Sequence, residues 1–283
     1  MTINQDKQNV LMKNNVLIKA RYNINTVENK IFQLILYKMQ KNSNSKDLKK
    51  CTIQHQEFKD IIKRTNNSTI KAINECLEEL RKSCIEIETE SKWLKYGFIN
   101  GFTYDKKNQE FTIKADAEIY ELLFNYLKGY TPVNLAIFFS FKGYYTQRLY
   151  ELLRLWSNTK TVITYTVDEI KELLKLEDQY SDYCNFKRRV ITPSIKELNE
   201  KAMLQIDFKE NKIGKRVTSI DFIVTDNDKR KYFEGNKESN VIHQEQQKKT
   251  YGKNKGKELK FMNFEQREYD YNSLEKKLLG WED

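Results

Sequence analysis

Asn185-Phe-Lys-Arg-Arg-Val-Ile-Thr-Pro-Ser-Ile-Lys-Glu-Leu-Asn-Glu-Lys201 carries three consecutive cations at its start and then continues as a helix-length segment. The pattern predicts a helix over residues 186–201. Successive helix residues fan out by about 100°, so Lys187, Arg188 and Arg189 cover much of the circumference. Some can reach a base edge while others clamp phosphates. Arginine suits a bidentate contact with guanine, whereas lysine is a point charge better matched to phosphate. Lys196 follows seven residues after Arg189, on the same face two turns on. Asn185 sits at the head of this element. Pro193 removes a backbone donor, so either the helix bends there or Thr192 caps a new segment. A bent, continuous helix is the reading adopted.

Downstream, residues 203–208 and 217–224 read as two strands joined by a basic tip over 209–216, which holds Lys209, Lys212, Lys215 and Arg216. These cations can follow the neighbouring groove or backbone. Upstream, residues 142–156 form a helix with Tyr145, Leu149, Leu152, Leu153 and Trp156 at core spacing. A strand over 162–166 and a short helix over 168–174 complete the set, with Thr166 or Asp168 near the cap of that helix. Helix, strand, helix, helix and hairpin is the order of a winged helix, whose third helix reads DNA while the hairpin forms the wing.

The first half repeats that order without obvious sequence identity. Residues 16–20 read as a short strand, and a helix begins near Thr26 with Asn25 or Thr26 as its cap. Thr52 and Ile53 lie in a strand, and residues 56–63 form a second helix. Asn66-Asn-Ser-Thr69 is a cluster of cap-forming residues ahead of Ile70, Ile73, Leu77 and Leu80, an amphipathic helix. A strand over 84–90 follows, then two strands over 98–104 and 110–114 around a turn-rich tip at 105–109. Residues 116–128 read as a helix and Gly129 to Pro132 as a break, where the domain boundary is placed. Asn67, Ser68, Thr69 and Lys71 are the candidate DNA contacts of this half, although capping alone accounts for Asn67 or Ser68. The fold class expected is α+β. Two tandem winged-helix domains cover residues 16–128 and 129–225, with a mobile arm over 1–15, a flexible linker over 226–258 and a C-terminal docking tail over 259–283. Two unrelated α+β domains would also fit the pattern.

The linker is rich in Lys, Asn, Gln and Glu, a composition that cannot bury enough apolar surface to fold alone. Aromatic residues return in the tail, where Ser273 can cap a short helix holding Leu274, Leu278 and Leu279. Such a tail suits docking to a partner, and folding back on its own domain is the other reading.

A net charge of +10 favours polyanionic partners, because neutralised phosphates release condensed counterions. Four cysteines without a Cys-x-x-Cys pair and two histidines, His55 and His243, do not make a zinc site. No metal or other cofactor is expected, and the cysteines read as buried, reduced thiols. No His-x-His pair stands beside a candidate catalytic tyrosine. Gly252-Lys-Asn-Lys-Gly-Lys257 lacks the spacing of a phosphate loop. Glu86, Glu88 and Glu90 read as ordinary solvent-facing carboxylates. The chain is therefore expected not to be an enzyme. With no long apolar run it is expected to be cytoplasmic, without membrane contact.

Particular segments resemble the Rep initiators of iteron-carrying plasmids, the RepE, RepA and π-type proteins. They are Val16-Leu-Ile-Lys-Ala-Arg-Tyr-Asn with Glu28-Asn-Lys-Ile-Phe, Tyr144-Tyr-Thr-Gln-Arg-Leu-Tyr-Glu-Leu-Leu, Phe186-Lys-Arg-Arg-Val, Ile195-Lys-Glu-Leu-Asn, Gly214-Lys-Arg-Val and Ile220-Asp-Phe. The likeness covers residues 12–225. It implies that the second winged helix recognises repeated double-stranded origin sites, the iterons, with Lys187, Arg188 and Arg189 at the reading helix. It further implies a first domain that supports dimerisation, monomers that initiate replication and dimers that repress their own gene. A host helicase or helicase loader is the partner implied for the tail. Arg148 and Tyr150 are expected to be packing and buried-polar residues. A winged-helix transcriptional repressor without initiator activity and a basic protein-interaction scaffold are the competing readings.

Overall fold

The computed structural model describes residues 9–41, 50–62, 69–88, 92–115 and 129–228. The expectations for residues 1–8, the helix over 116–128, the linker from residue 229 on and the tail lie outside the described residues; Asp226, placed in the linker by the sequence, closes the last strand instead.

Strand β1 (Val10–Asn14) leads into α1 (Asn15–Lys19) and α2 (Thr26–Lys41). Then come β2 (Lys50–Gln54), α3 (His55–Ile62), α4 (Thr69–Lys82), β3 (Cys84–Glu88), β4 (Trp93–Gly97), β5 (Gly101–Asp105) and β6 (Glu110–Lys114). The second half runs β7 (Tyr130–Asn134), α5 (Leu135–Ser140), α6 (Tyr144–Trp156), β8 (Val162–Thr166) and α7 (Val167–Leu173). It closes with α8 (Tyr183–Phe186), a π-helical turn (Lys187–Ile191), α9 (Thr192–Lys201), β9 (Leu204–Ile213) and β10 (Arg216–Asp226).

The repeat seen in the sequence is a repeat of topology. In the first half the sheet order is β2-β6-β5 and in the second it is β8-β10-β9. In both, the strand after the long helix, α2 or α6, pairs antiparallel with the outgoing strand of the wing. Helix starts are set by local side chains. Asn25 Oδ1 accepts from the amides of Val27 and Glu28 at 2.9 Å, and Glu28 Oε2 accepts from the Asn25 amide at 2.8 Å. Thr166 and Glu169 form the same reciprocal box at the head of α7.

Several expectations need correction. Residues 10–14 are not an arm: β1 pairs antiparallel with β7, Met12 opposite Pro132. The segment around Gly129–Pro132, read as a break, therefore supplies a strand, and its proline is accommodated because this is a two-stranded ribbon. Residues 16–19 are helical rather than a strand, with Asn14 capping through the Val16 amide and Ala20 extended as the C-cap. Helix α5 and strand β4 were not foreseen; β4 forms a hairpin with β3, and the following strand begins at Gly101. The second wing is longer than expected. Its strands run to Ile213 and from Arg216, so Lys209 and Lys212 stand on β9 and the turn is Gly214-Lys215. Gly214 adopts φ +61°, which favours glycine. Only Cys51 is buried; Cys76 and Cys84 are half-buried and Cys184 is exposed, contrary to the expectation of buried thiols.

The N-terminal segment and α6 share a buried ionic core. Lys13 Nζ donates to Glu151 Oε1 at 2.6 Å, and Arg148 Nη1 donates to Glu151 Oε2 at 2.8 Å and to the Tyr22 hydroxyl at 2.7 Å. Arg148 Nη2 satisfies the carbonyls of Ile18 and Ala20 at 3.1 and 2.8 Å. Burial pushes the Lys13 ammonium down to about 8, against the pull of Glu151. Arg148 is thus a buried anchor of the N-terminal segment.

Candidate nucleic-acid interface

The third helix of the second half is one continuous element of three parts. Asp182 caps it, its carboxylate accepting from the amides of Cys184 and Asn185 at 3.2 and 3.3 Å. Phe186, Val190, Ile191, Ile195 and Leu198 point into the core. Pro193 is accommodated by a wide turn directly before it, where the Thr192 amide bonds back five residues to the Lys187 carbonyl. The helix neither ends at Pro193 nor starts again; the strain goes into one π-helical turn.

Burying that inner face leaves Arg188, Arg189, Thr192 and Lys196 exposed on the outer one. Asn185 is half-buried and joins its neighbours: its Nδ2 donates to Asp182 at 3.1 Å, and its Oδ1 accepts from Arg188 Nη2 at 2.7 Å. Arg188 is therefore pre-oriented, while Arg189 has no hydrogen-bond or ion-pair partner among the described residues. Lys187 differs from both. Its Nζ lies 2.6 Å from Glu210 Oε1 on β9 and 5.3 Å from the centre of the Phe208 ring. Tyr183 donates its hydroxyl to the same Glu210 oxygen at 3.0 Å. The hydrogen bond from Lys187 holds the Glu210 carboxyl below its usual range. Lys187 ties the reading helix to the wing before any DNA arrives.

Lys212, Lys215 and Arg216 are exposed on the wing. With Asp168, Lys187 and Glu210 they border a cleft of about 460 Å³ between wing, helix start and α7. Arg216 Nη2 approaches Asp168 Oδ2 at 3.5 Å, but both side chains are more than three-quarters exposed (76% and 78%), so that pair contributes little. Between the basic residues the wing also carries Ile213, 75% exposed.

The first half is electrically different. Thr69 is only 2% exposed, so it opens α4 as a buried residue and is removed from the DNA contacts. Asn67 and Ser68 lie outside the described residues. Lys71 is 81% exposed, with Glu75 at 3.9 Å one turn on. Further along α4, Arg81 pairs with Glu78 and Lys82 with Glu79, each at 3.0 Å, which leaves this helix close to neutral. Its wing is the basic part. Asp105 accepts from the amides of Lys107 and Asn108 at 2.8 and 3.2 Å, and this turn presents Lys106 and Lys107 to solvent. The sequence signal for those lysines was the turn itself, Asp105-Lys-Lys-Asn.

Among the described residues no helix is long and apolar enough to cross a membrane, and no group of three or more His, Cys, Asp or Glu side chains could hold a metal ion. Two winged helices, each with an outward third helix and a cationic wing, define a DNA-binding protein of tandem winged-helix type. Two family models match: initiator replication protein, WH1, over residues 10–154, and initiator Rep protein, WH2, over residues 166–224. The chain belongs to the Rep family of replication initiators. Among solved structures, the Pi initiator protein in complex with iteron DNA is 19% identical, with a TM-score of 0.63, covering 79% of this chain and 100% of that one. Domains 2 and 3 of RctB match at 11% identity and a TM-score of 0.44, over 70% of this chain and 81% of that one. No curated protein matches.

Proposed function

We propose that this initiator binds repeated origin DNA, the iterons of a plasmid, in a sequence-specific manner and acts in the cytoplasm by binding, with no bond made or broken. The observation that carries this reading is the outward face of the second reading helix. Arg188 and Arg189 stand free of the core beside a cationic wing, and arginine is the side chain suited to guanine. Lys196, Lys212, Lys215 and Arg216 serve the phosphates, as do Lys106 and Lys107 of the first wing. Phosphate contacts position a protein and base contacts specify its site. Lys71 is a further phosphate contact of the first half, which also supports a dimer that represses the chain's own gene. The tail over 259–283 recruits a host helicase or its loader.

Footprinting of the purified protein on DNA flanking its own gene, at several salt concentrations, tests this reading. Protection of evenly spaced direct repeats is the expected result. A single protected inverted repeat would identify a repressor instead, and no specific protection would leave a basic interaction protein.

A further inference from the structure

Lys175 has φ +56°, the left-handed conformation that glycine usually supplies where a helix ends. The end of α7 is a Schellman motif. The Lys175 amide bonds to the Glu172 carbonyl at 3.0 Å and the Leu176 amide to the Lys171 carbonyl at 2.7 Å. Lys175 fills the position where glycine would cost least. Its side chain accounts for the choice: the ammonium pairs with Glu86 on β3 of the first winged helix. Glu86 also pairs with Lys95 at 3.3 Å, and both lysines hold its carboxyl below the usual range.

Arg21 makes a second crossing beside the first. Its guanidinium pairs with Glu172 of α7 and, at 3.2 Å, with Glu88 of β3. Its backbone is pinned to Glu86 by two amide–carbonyl bonds of 2.8 and 2.9 Å. The cleft between the halves, about 670 Å³, continues this complementarity: Lys82 and Lys95 line one side, and Glu177 and Asp178 the other. Glu86 and Glu88, expected to be plain solvent-facing carboxylates, are the first domain's half of a cross-domain contact.

We propose that Glu86–Lys175, braced by Arg21, is a clasp that fixes the distance and phasing between the two reading helices and so sets the spacing of the two halves of the DNA site. Lys175 is a positioning residue in this scheme, since it reaches no base itself. The inference rests on the DNA-binding reading above. One added base pair displaces a half-site by about 3.4 Å and turns it by about 35°. A rigid pair of winged helices cannot follow that displacement, whereas an unclasped pair can.

Lys175→Gly separates the clasp from the fold, because glycine relieves the backbone while deleting the ammonium. Binding of the full chain is measured on its footprinted site and on versions with one base pair inserted or removed between the halves. The wild type is expected to lose roughly tenfold on the altered sites, and Lys175→Gly to bind all three within about twofold at an unchanged or raised thermal midpoint. Wild-type discrimination in Lys175→Gly would overturn the proposal. In parallel, spin-label distances between Asn74 and Glu200, both exposed on the two reading helices, are recorded without DNA. A wider distribution in Lys175→Gly supports the clasp and an unchanged one sinks it. Absence of any footprint with the wild type would count against the DNA-binding reading alone, leaving the distance measurement to decide the clasp.

Discussion

Lys187 Nζ sits 2.6 Å from Glu210 Oε1, so the first cation of the reading helix is already neutralised by the wing. The three cations that look equivalent in sequence are divided by the fold. Lys187 braces the helix against β9, Arg188 is steered by Asn185, and Arg189 is exposed.

Replacing Glu210 by glutamine releases the Lys187 ammonium. Affinity for random-sequence duplex is expected to rise, and the slope of log K against log salt to steepen by about one contact. A salt titration of Glu210→Gln beside the wild type checks this. An unchanged slope would show that Lys187 stays away from phosphate even when freed.

Arg188→Ala and Arg189→Ala are each expected to weaken specific binding by about 1–3 kcal/mol if the side chain contacts a base. Asn185→Ala should follow Arg188→Ala, and the double variant should fall short of the sum, because the two act as one unit. Equal losses on cognate and random DNA would identify the arginine as a phosphate clamp.

Glu151 balances Lys13 and Arg148 with all three side chains fully buried. Glu151→Gln strands two cations, and the expected loss of stability is about 3–5 kcal/mol. Urea denaturation measures it directly. A loss below about 1 kcal/mol would mean that water reaches the site.

The carboxyls of Glu86 and Glu210 are held below the ordinary value of 4.5 by their lysine partners. A depressed folded value means that the unfolded chain binds protons first. The stabilisation is complete above pH 4.5 and is lost as the pH falls through the depressed values. The stability gap between wild type and Glu210→Gln should therefore close in acid, as thermal melts at a series of pH values would show. A gap independent of pH would contradict the pairing.

The winged-helix order was legible because it rests on local periodicity. Leu149, Leu152 and Leu153 announce one core helix and Ile73, Leu77 and Leu80 another. What stayed hidden was non-local. Residues 16–20 form a short apolar run that fits strand and helix equally, and only the Asn14 cap and packing on α6 decide for helix. Thr69 has the side chain of a cap, yet tertiary packing buries it. Glu86 alternates with Ile85 and Ile87 as any solvent-facing strand residue would, while its partner stands 89 residues further on. In the site, the exposed arginines could be read from the charge run, but the wing residue that neutralises Lys187 could not.

The ribbon of β1 and β7 has a bearing on synthesis. Val10 waits for Asn134, and Lys13 for Glu151, which lies 138 residues later in the chain. At about 5–20 residues per second, the ribosome delivers that partner on the order of ten seconds afterwards. The N-terminal winged helix thus leaves the exit tunnel with its first strand unpaired and a lysine lacking its counter-ion. Cutting the gene ahead of β7 would strand β1 permanently, so the first strand to be made is among the last parts of its own ribbon to be secured.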